Sequence, residues 1–285
     1  MFAPETYQLL DFGSGRKLER FGRYVFDRPA PAADGAHRRQ AERWSRADAR
    51  YQRDAGNAGR WSCATPVDEV WSVRHRELTF ELKLTEFGQL GLFPEQAENW
   101  DWIARQVRDA DRPLKVLNLF AYTGASTLSA AAAGAEVVHV DAAANVVAWA
   151  RRNAEASGLA EAPIRWITED ASKFVRRELK RGNHYDAVIL DPPSYGHGPR
   201  GETWKLEEQL GELLANCLEL TARSRRFMLL TCHSGEWAQS ASLLKFILAE
   251  EPKLRETGKL SGHDLYLVSA AKERLHCGAA ARWSL

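Results

Sequence analysis

The chain has 285 residues, enough for one large core with a smaller one beside it, because single cores stop growing near about 250 to 300 residues. Its formal net charge of +1 excludes a uniformly basic nucleic-acid coat and leaves room only for a local basic patch. Four scattered cysteines, Cys63, Cys217, Cys232 and Cys277, form no C-x-x-C pair, and no run approaches the roughly 18 apolar residues of a membrane span. With Pro4, Glu5 and Asp11 where a secretory leader would be basic and then apolar, the expectation is a reduced, soluble, cytoplasmic protein with no metal site and no membrane partner.

Residues 1 to about 87 read as a small β-rich domain, with short alternating runs at Tyr7 to Leu10 and Leu18 to Val25 separated by Gly13-Ser14-Gly15. After Pro29 the chain carries Arg38, Arg39, Arg43, Arg46, Arg50, Arg53 and Arg60 against only Glu42, Asp48 and Asp54. Trp44, Tyr51 and Trp61 are interleaved with these arginines. That combination suits stacking on bases beside neutralised phosphates, and equally a solvated, ion-paired surface. Leu78 to Leu84 alternates as a half-buried strand, and Gly88 to Glu98 is a loop leading into a helix at Glu98 to Asp109.

Past Pro113 the texture changes to alternating strands and helices. Strands are expected at Val116 to Phe120, Glu136 to Asp141, Ile164 to Glu169, Tyr185 to Asp191 and Arg226 to Cys232, each followed by a helical stretch. Five βα units in series predict a parallel sheet with helices on both faces. Asp264 to Ala270 and Gly278 to Ser284 follow without a helix between them and read as an antiparallel terminal hairpin. The domain boundaries are therefore 1–87 and 88–285.

In an open parallel sheet the ligand lies beyond the carboxyl ends of the strands, so the strand exits carry the chemistry. The first exit is Asn118-Leu119-Phe120-Ala121-Tyr122-Thr123-Gly124, where Gly124 permits close backbone approach and Thr123 can cap a helix or bond a carboxylate. It lacks the three-glycine dinucleotide fingerprint, which speaks against NAD or FAD. Asp141 at the second exit can accept both hydroxyls of a ribose or cap the next helix, and Asp170 at the third can accept from an adenine amine or serve as a cap. At the fourth exit Asp191-Pro192-Pro193-Ser194-Tyr195 is the most specific signal. Its prolines fix an extended turn that can aim the Asp191 carboxylate and the Pro192 carbonyl at an exocyclic amine, with Tyr195 available to stack. Gly196, Gly198 and Gly201 then suggest a mobile flap.

These exits, together with Gly91-Leu92-Phe93-Pro94-Glu95-Gln96, resemble class I S-adenosylmethionine-dependent methyltransferases, and within them the ribosomal RNA large-subunit group, over roughly residues 88 to 285. The resemblance implies an α/β, Rossmann-like, mostly parallel sheet with the antiparallel hairpin at its end. It also implies S-adenosylmethionine as cofactor and structured RNA as partner. The implied cofactor contacts are Phe93, Gln96, Asn118, Phe120, Tyr122, Thr123, Gly124, Asp141, Ala142, Asp170, Ala171 and Asp191.

Acceptor chemistry is expected at Asp191, Pro192, Tyr195 and Cys232. A nitrogen acceptor needs only hydrogen-bond acceptors, whereas carbon 5 of a pyrimidine needs a thiolate to attack first. Cys232, in Thr231-Cys232-His233-Ser234-Gly235, stands where similar RNA cytosine methyltransferases place theirs, with His233 as a candidate assistant. Many of those enzymes carry a second cysteine where this chain has Ser194, and a cysteine ending a strand is often a small buried hydrophobe. The alternatives to a base in RNA are a small molecule or a protein side chain as acceptor, or a non-catalytic binding module.

Overall fold

A computed structural model describes residues 2–54 and 58–285. The chain forms two compact units, Met1–Ala97 with Tyr266–Cys277, and Glu98–Leu265 with Gly278–Leu285. The division falls ten residues beyond the boundary expected at 87 and takes in the tip of the terminal hairpin. Hydrogen bonds explain both shifts. The 88–97 stretch folds back on its own unit, with Lys83 N donating to the Leu90 carbonyl at 3.2 Å and Gly88 lying on the ring of Tyr51. At the hairpin tip, Ala270 N donates to the Leu9 carbonyl at 2.9 Å.

The first unit holds β1 (Tyr7–Gly13), β2 (Arg16–Phe21), β3 (Tyr24–Pro29), α1 (Ala41–Trp44), β4 (Ala49–Arg53) and β5 (Gly59–Cys63), the strands forming one sheet in that order. β6 (Trp71–His75) and β7 (Leu78–Leu82) make a separate hairpin. Both faces of the sheet are covered: Leu9, Phe21 and Phe26 are buried on one, and Leu18 packs with Leu10 and Trp44 on the other. The arginine-rich segment is where the structure corrects the base-stacking idea. Trp44 is 3% exposed and donates its indole N–H to Asp11 at 2.8 Å. Tyr51 is buried, with its hydroxyl on the Glu86 carbonyl at 2.7 Å, and the half-buried Trp61 donates to the Thr85 carbonyl. These rings belong to the core because their polar tips find acceptors there. The arginines stay outside, partly paired: Arg39 with Glu273 at 2.9 Å and Arg50 with Asp27 at 2.7 Å.

The second unit begins with α2 (Ala97–Arg108) and then alternates: β8 (Lys115–Leu119), α3 (Ala125–Ala132), β9 (Glu136–Asp141), α4 (Ala144–Ala156), β10 (Ile164–Thr168), α5 (Ala171–Lys180) and β11 (Ala187–Leu190). A short hairpin of β12 (Tyr195–His197) and β13 (Thr203–Lys205) precedes α6 (Leu206–Thr221). Last come β14 (Phe227–Cys232), α7 (Ser240–Glu250), α8 (Leu254–Thr257), β15 (Lys259–Val268) and β16 (Arg274–Ser284). The sheet order is β10-β9-β8-β11-β14-β16-β15, with β8, β9, β10, β11 and β14 parallel and β16 antiparallel to β14.

This is the α/β Rossmann-like sheet expected from the sequence, antiparallel terminal strand included. β11 and β14 are buried along their whole length, which is why they read as continuous apolar runs. Each fully buried Leu or Ile in them contributes about 1.5 to 3 kcal/mol. Because the strand order reverses between β8 and β11, the crevice at their carboxyl ends is the topological switch point. Among the described residues no helix is long and apolar enough to cross a membrane.

Candidate active site

Where β8 ends, the backbone enters the left-handed region three times in five residues, with φ of +54° at Phe120, +48° at Tyr122 and +91° at Gly124. For an aromatic residue this conformation costs on the order of 1 to 3 kcal/mol and persists only when the surroundings impose it. Here they do. Ala121 N donates to the Val140 carbonyl at 3.0 Å, Tyr122 N to Asp141 Oδ2 at 2.9 Å, and Asn153 Nδ2 to the Thr123 carbonyl at 2.9 Å. The loop is thus pinned to the end of β9 and to α4. A Cβ on Gly124 would lie 3.1 Å from that of Ala150, so only glycine fits both the φ and the space.

Beneath the loop runs a buried polar chain that sequence reasoning missed beyond its first member. Asn118, 2% exposed, donates its amide to Thr127 Oγ1 at 2.9 Å, and Thr127 Oγ1 lies 2.9 Å from His139 Nδ1. Burial, reinforced by the charge of Arg151, lowers the His139 pKa to about 3. Asn118 was expected to touch the cofactor, but its amide nitrogen supports the loop from below.

Asp141 at the β9 exit bridges two loops. Oδ2 accepts from Tyr122 N, and Oδ1 from Ala143 N at 3.0 Å, Ala143 being the N-cap of α4, which has no side-chain cap bond. Burial raises the Asp141 pKa, and the N–H groups of Ala143, Tyr122 and Ala142 partly offset that. Of the roughly four acceptor sites of the carboxylate, one remains for a ligand hydroxyl. Asp170 is the N-cap of α5, its Oδ1 accepting from Lys173 N at 2.9 Å, with Ala171 buried behind it and Ala142 half-buried at the previous exit.

At the exits of β11 and β14, Asp191 Oδ1 accepts from Thr231 Oγ1 and lies 2.9 Å from His233 Nε2. Pro192 is buried, and the Pro193 carbonyl accepts from the Trp204 indole at 2.7 Å. The glycine-rich segment expected as a mobile flap forms a short hairpin that Trp204 ties to the Pro193 carbonyl, its ring lying against Phe120 at 4.9 Å. Tyr195, 53% exposed at the start of that hairpin, is free of the core and presents its ring outward. Ser194 and Ser234 share a 2.5 Å hydrogen bond on the rim of a cavity of about 240 Å³ that also meets Tyr195, Lys205, Glu207 and Trp237.

Cys232 departs from the expected nucleophile. It has no exposed surface, and burial, then the charge of Asp191, pushes its thiol up to about 12. A nucleophile must both reach the base and ionise, and burial opposes both at Cys232. The exposed residue at this exit is its neighbour His233. A strand leaving its sheet turns successive side chains to opposite sides, and that was the signal available for preferring His233. Phe93 and Gln96 lie in the first unit, Phe93 just before the short turn of helix Pro94–Gln96 and Gln96, buried, as its last residue.

Residues 28–260 match the family of S-adenosylmethionine-dependent methyltransferases. The chain belongs to that family. Among its relatives, the ribosomal RNA large subunit methyltransferase K/L of Pseudoalteromonas atlantica is 33% identical over 142 residues, 49% of this chain and 19% of that protein. The ribosomal RNA large subunit methyltransferase I of Aeromonas hydrophila is 34% identical over 132 residues, 46% of this chain and 32% of that protein. Matches therefore span about a fifth to a third of the length of these relatives. A crystal structure of an S-adenosylmethionine-dependent methyltransferase from Agrobacterium tumefaciens superposes with a TM-score of 0.91 at 38% identity, covering 98% of this chain and 90% of that one. The site fits this family's methyl donor: at the crevice where the strand order reverses, Asp141 offers a carboxylate already oriented by backbone N–H groups of two loops.

Proposed function

We propose that this protein methylates a base of RNA, with ribosomal RNA the substrate class named in its relatives, and that the acceptor is a nitrogen atom. The observation that carries the reading is the Thr231–Asp191–His233 cluster at the two exits beside the switch point, next to the strained loop after β8. When bound, S-adenosylmethionine supplies a methyl group already made electrophilic by its sulfonium.

What remains for the protein is placement and one proton. Asp141 accepts a ribose hydroxyl, Phe120, Tyr122, Thr123 and Gly124 cradle the methionine part, and Asp170 with Ala142 and Ala171 borders the adenine. Phe93 and Gln96 join this set on the family motif alone, and weaker cofactor binding by Gln96→Ala would support them. Asp191 holds His233 in one orientation, and Tyr195 offers a face for the base. As the nitrogen–carbon bond forms and the carbon–sulfur bond breaks, the acceptor nitrogen gains positive charge and gives up a proton. The neutral imidazole of His233 takes it, and the carboxylate of Asp191 stabilises the imidazolium formed.

One feature favours a second acceptor class. Glu207, Glu208 and Glu236 line the cavity beside Ser194, with only Lys205 opposing them, and such a wall suits a cationic amine better than a phosphate-rich chain. Incubation with labelled S-adenosylmethionine and fractionated RNA, protein and metabolites separates the two. Label in RNA supports the first reading, and label confined to protein or metabolites replaces it with the second.

A further inference from the structure

At the opposite ends of the same strands lies a cavity of about 560 Å³ that the methyl-transfer site does not use. Arg226 precedes β14 and His233 follows it, so the cavity stands on the order of 20 Å from the acceptor exits, the length of that strand. Its wall carries Arg112, Arg223, Arg225, Arg226 and Lys253 against a single carboxylate, Glu251. Two of the cations are already neutralised: Arg112 makes a two-pronged contact with Asp186, and Arg226 pairs with Asp111.

The other three are not. Arg223 and Lys253 are exposed and have no carboxylate within ion-pair distance among the described residues. Arg225 hydrogen-bonds neutral acceptors, donating Nε to Thr221 Oγ1 at 2.9 Å and Nη2 to the Leu218 carbonyl at 2.6 Å, with its guanidinium over the ring of Trp283, and the charge of Glu251 acts on it only from beyond ion-pair distance. A half-buried guanidinium held by uncharged hydrogen-bond partners loses more to burial than the charge of Glu251 returns, and an anion arriving from the cavity restores the difference. The fixed planar fork of Arg225, flanked by the exposed cations of Arg223 and Lys253, matches the geometry and charge of a phosphoryl group.

We infer that this cavity is a phosphoryl-binding site, filled by a backbone phosphate of the RNA at a point remote from the methylated base. The RNA part rests on the proposed function; the anion site does not.

The test compares the full-length protein with R223Q/K253Q, both exposed positions, and with K180Q/K245Q as a control of equal charge change. For a fluorescent single-stranded RNA, losing two phosphate contacts lowers the slope of log affinity against log salt by about 1.4 and weakens binding roughly 10-fold or more at low salt. The control pair changes neither. In a parallel titration with inorganic pyrophosphate, the wild-type protein binds and R223Q/K253Q loses roughly 10-fold. If the wild-type protein binds no RNA while pyrophosphate binding is still lost in R223Q/K253Q, the RNA reading fails and the anion site stands. If pyrophosphate responds but RNA binding by the variant equals that of the wild type, the assignment to an RNA phosphate is overturned. If neither ligand distinguishes the variant from its control, the site itself is overturned.

Discussion

Two residues side by side in the chain, Cys232 and His233, divide the chemistry at the β14 exit between them. Cys232 is sealed in the core with its thiol pushed up to about 12, and His233 stands outside against Asp191. Cys232→Ser is therefore expected to keep its turnover while losing on the order of 1 kcal/mol of stability from altered packing and an added buried hydroxyl. A turnover number below a tenth of wild type would restore the covalent mechanism. Asp191→Asn keeps the shape but removes the charge that supports a protonated His233. Its kcat should fall about 10²- to 10⁴-fold, while cofactor affinity measured by calorimetry changes far less. His139 makes a different prediction, on stability. Its folded-state pKa of about 3 lies below the ordinary 6.5, so the unfolded chain binds the extra proton and stability falls as pH drops below about 6.5. At pH 5 the loss from this group is about 2 kcal/mol, and His139→Asn should show a correspondingly shallower decline in denaturant unfolding between pH 7 and 5.

Strand exits are the elements most legible in the sequence, because their residues are constrained by both backbone geometry and chemistry. Asp191-Pro192-Pro193 was visible through its prolines, and Gly124 through its missing side chain. The left-handed backbone at Phe120 and Tyr122 was not visible, since no preference of an aromatic residue produces it; the Val140 carbonyl and the Asp141 carboxylate impose it from β9. For the same reason the Asn118–Thr127–His139 chain escaped notice: its members sit on three elements and meet only in the fold. The hairpin of β12 and β13 reads as a flap from its glycines, yet one indole-to-carbonyl bond from Trp204 anchors it. Gly124→Ala tests the loop directly. With φ at +91° and Ala150 at 3.1 Å, the new methyl must displace the start of α3 or the middle of α4. The expected cost is about 1 to 3 kcal/mol in thermal or denaturant unfolding, with cofactor affinity reduced at least about tenfold. Unchanged affinity would mean that the turn does not shape the cofactor cradle.

Across the whole molecule, charge is balanced at +1, so any affinity for RNA must come from local clusters of cations and carry a strong dependence on salt. Arginines alternating with aromatic residues in the 38–61 segment look in sequence like a surface that both stacks and neutralises. Folding separates the two roles, since residue type alone does not say which side of a sheet a ring occupies. Trp44 packs with Leu10 and Leu18 and gives its N–H to a buried carboxylate that also binds the backbone of Gln40. Trp44→Phe keeps most of that packing and leaves Asp11 one donor short, which should lower stability by about 1 to 2 kcal/mol. At fixed salt its RNA affinity should match that of the wild-type protein, because a ring inside the core has no base to stack on. A variant with an unaltered melting temperature and weakened RNA binding would show instead that Trp44 leaves the core to meet the nucleic acid.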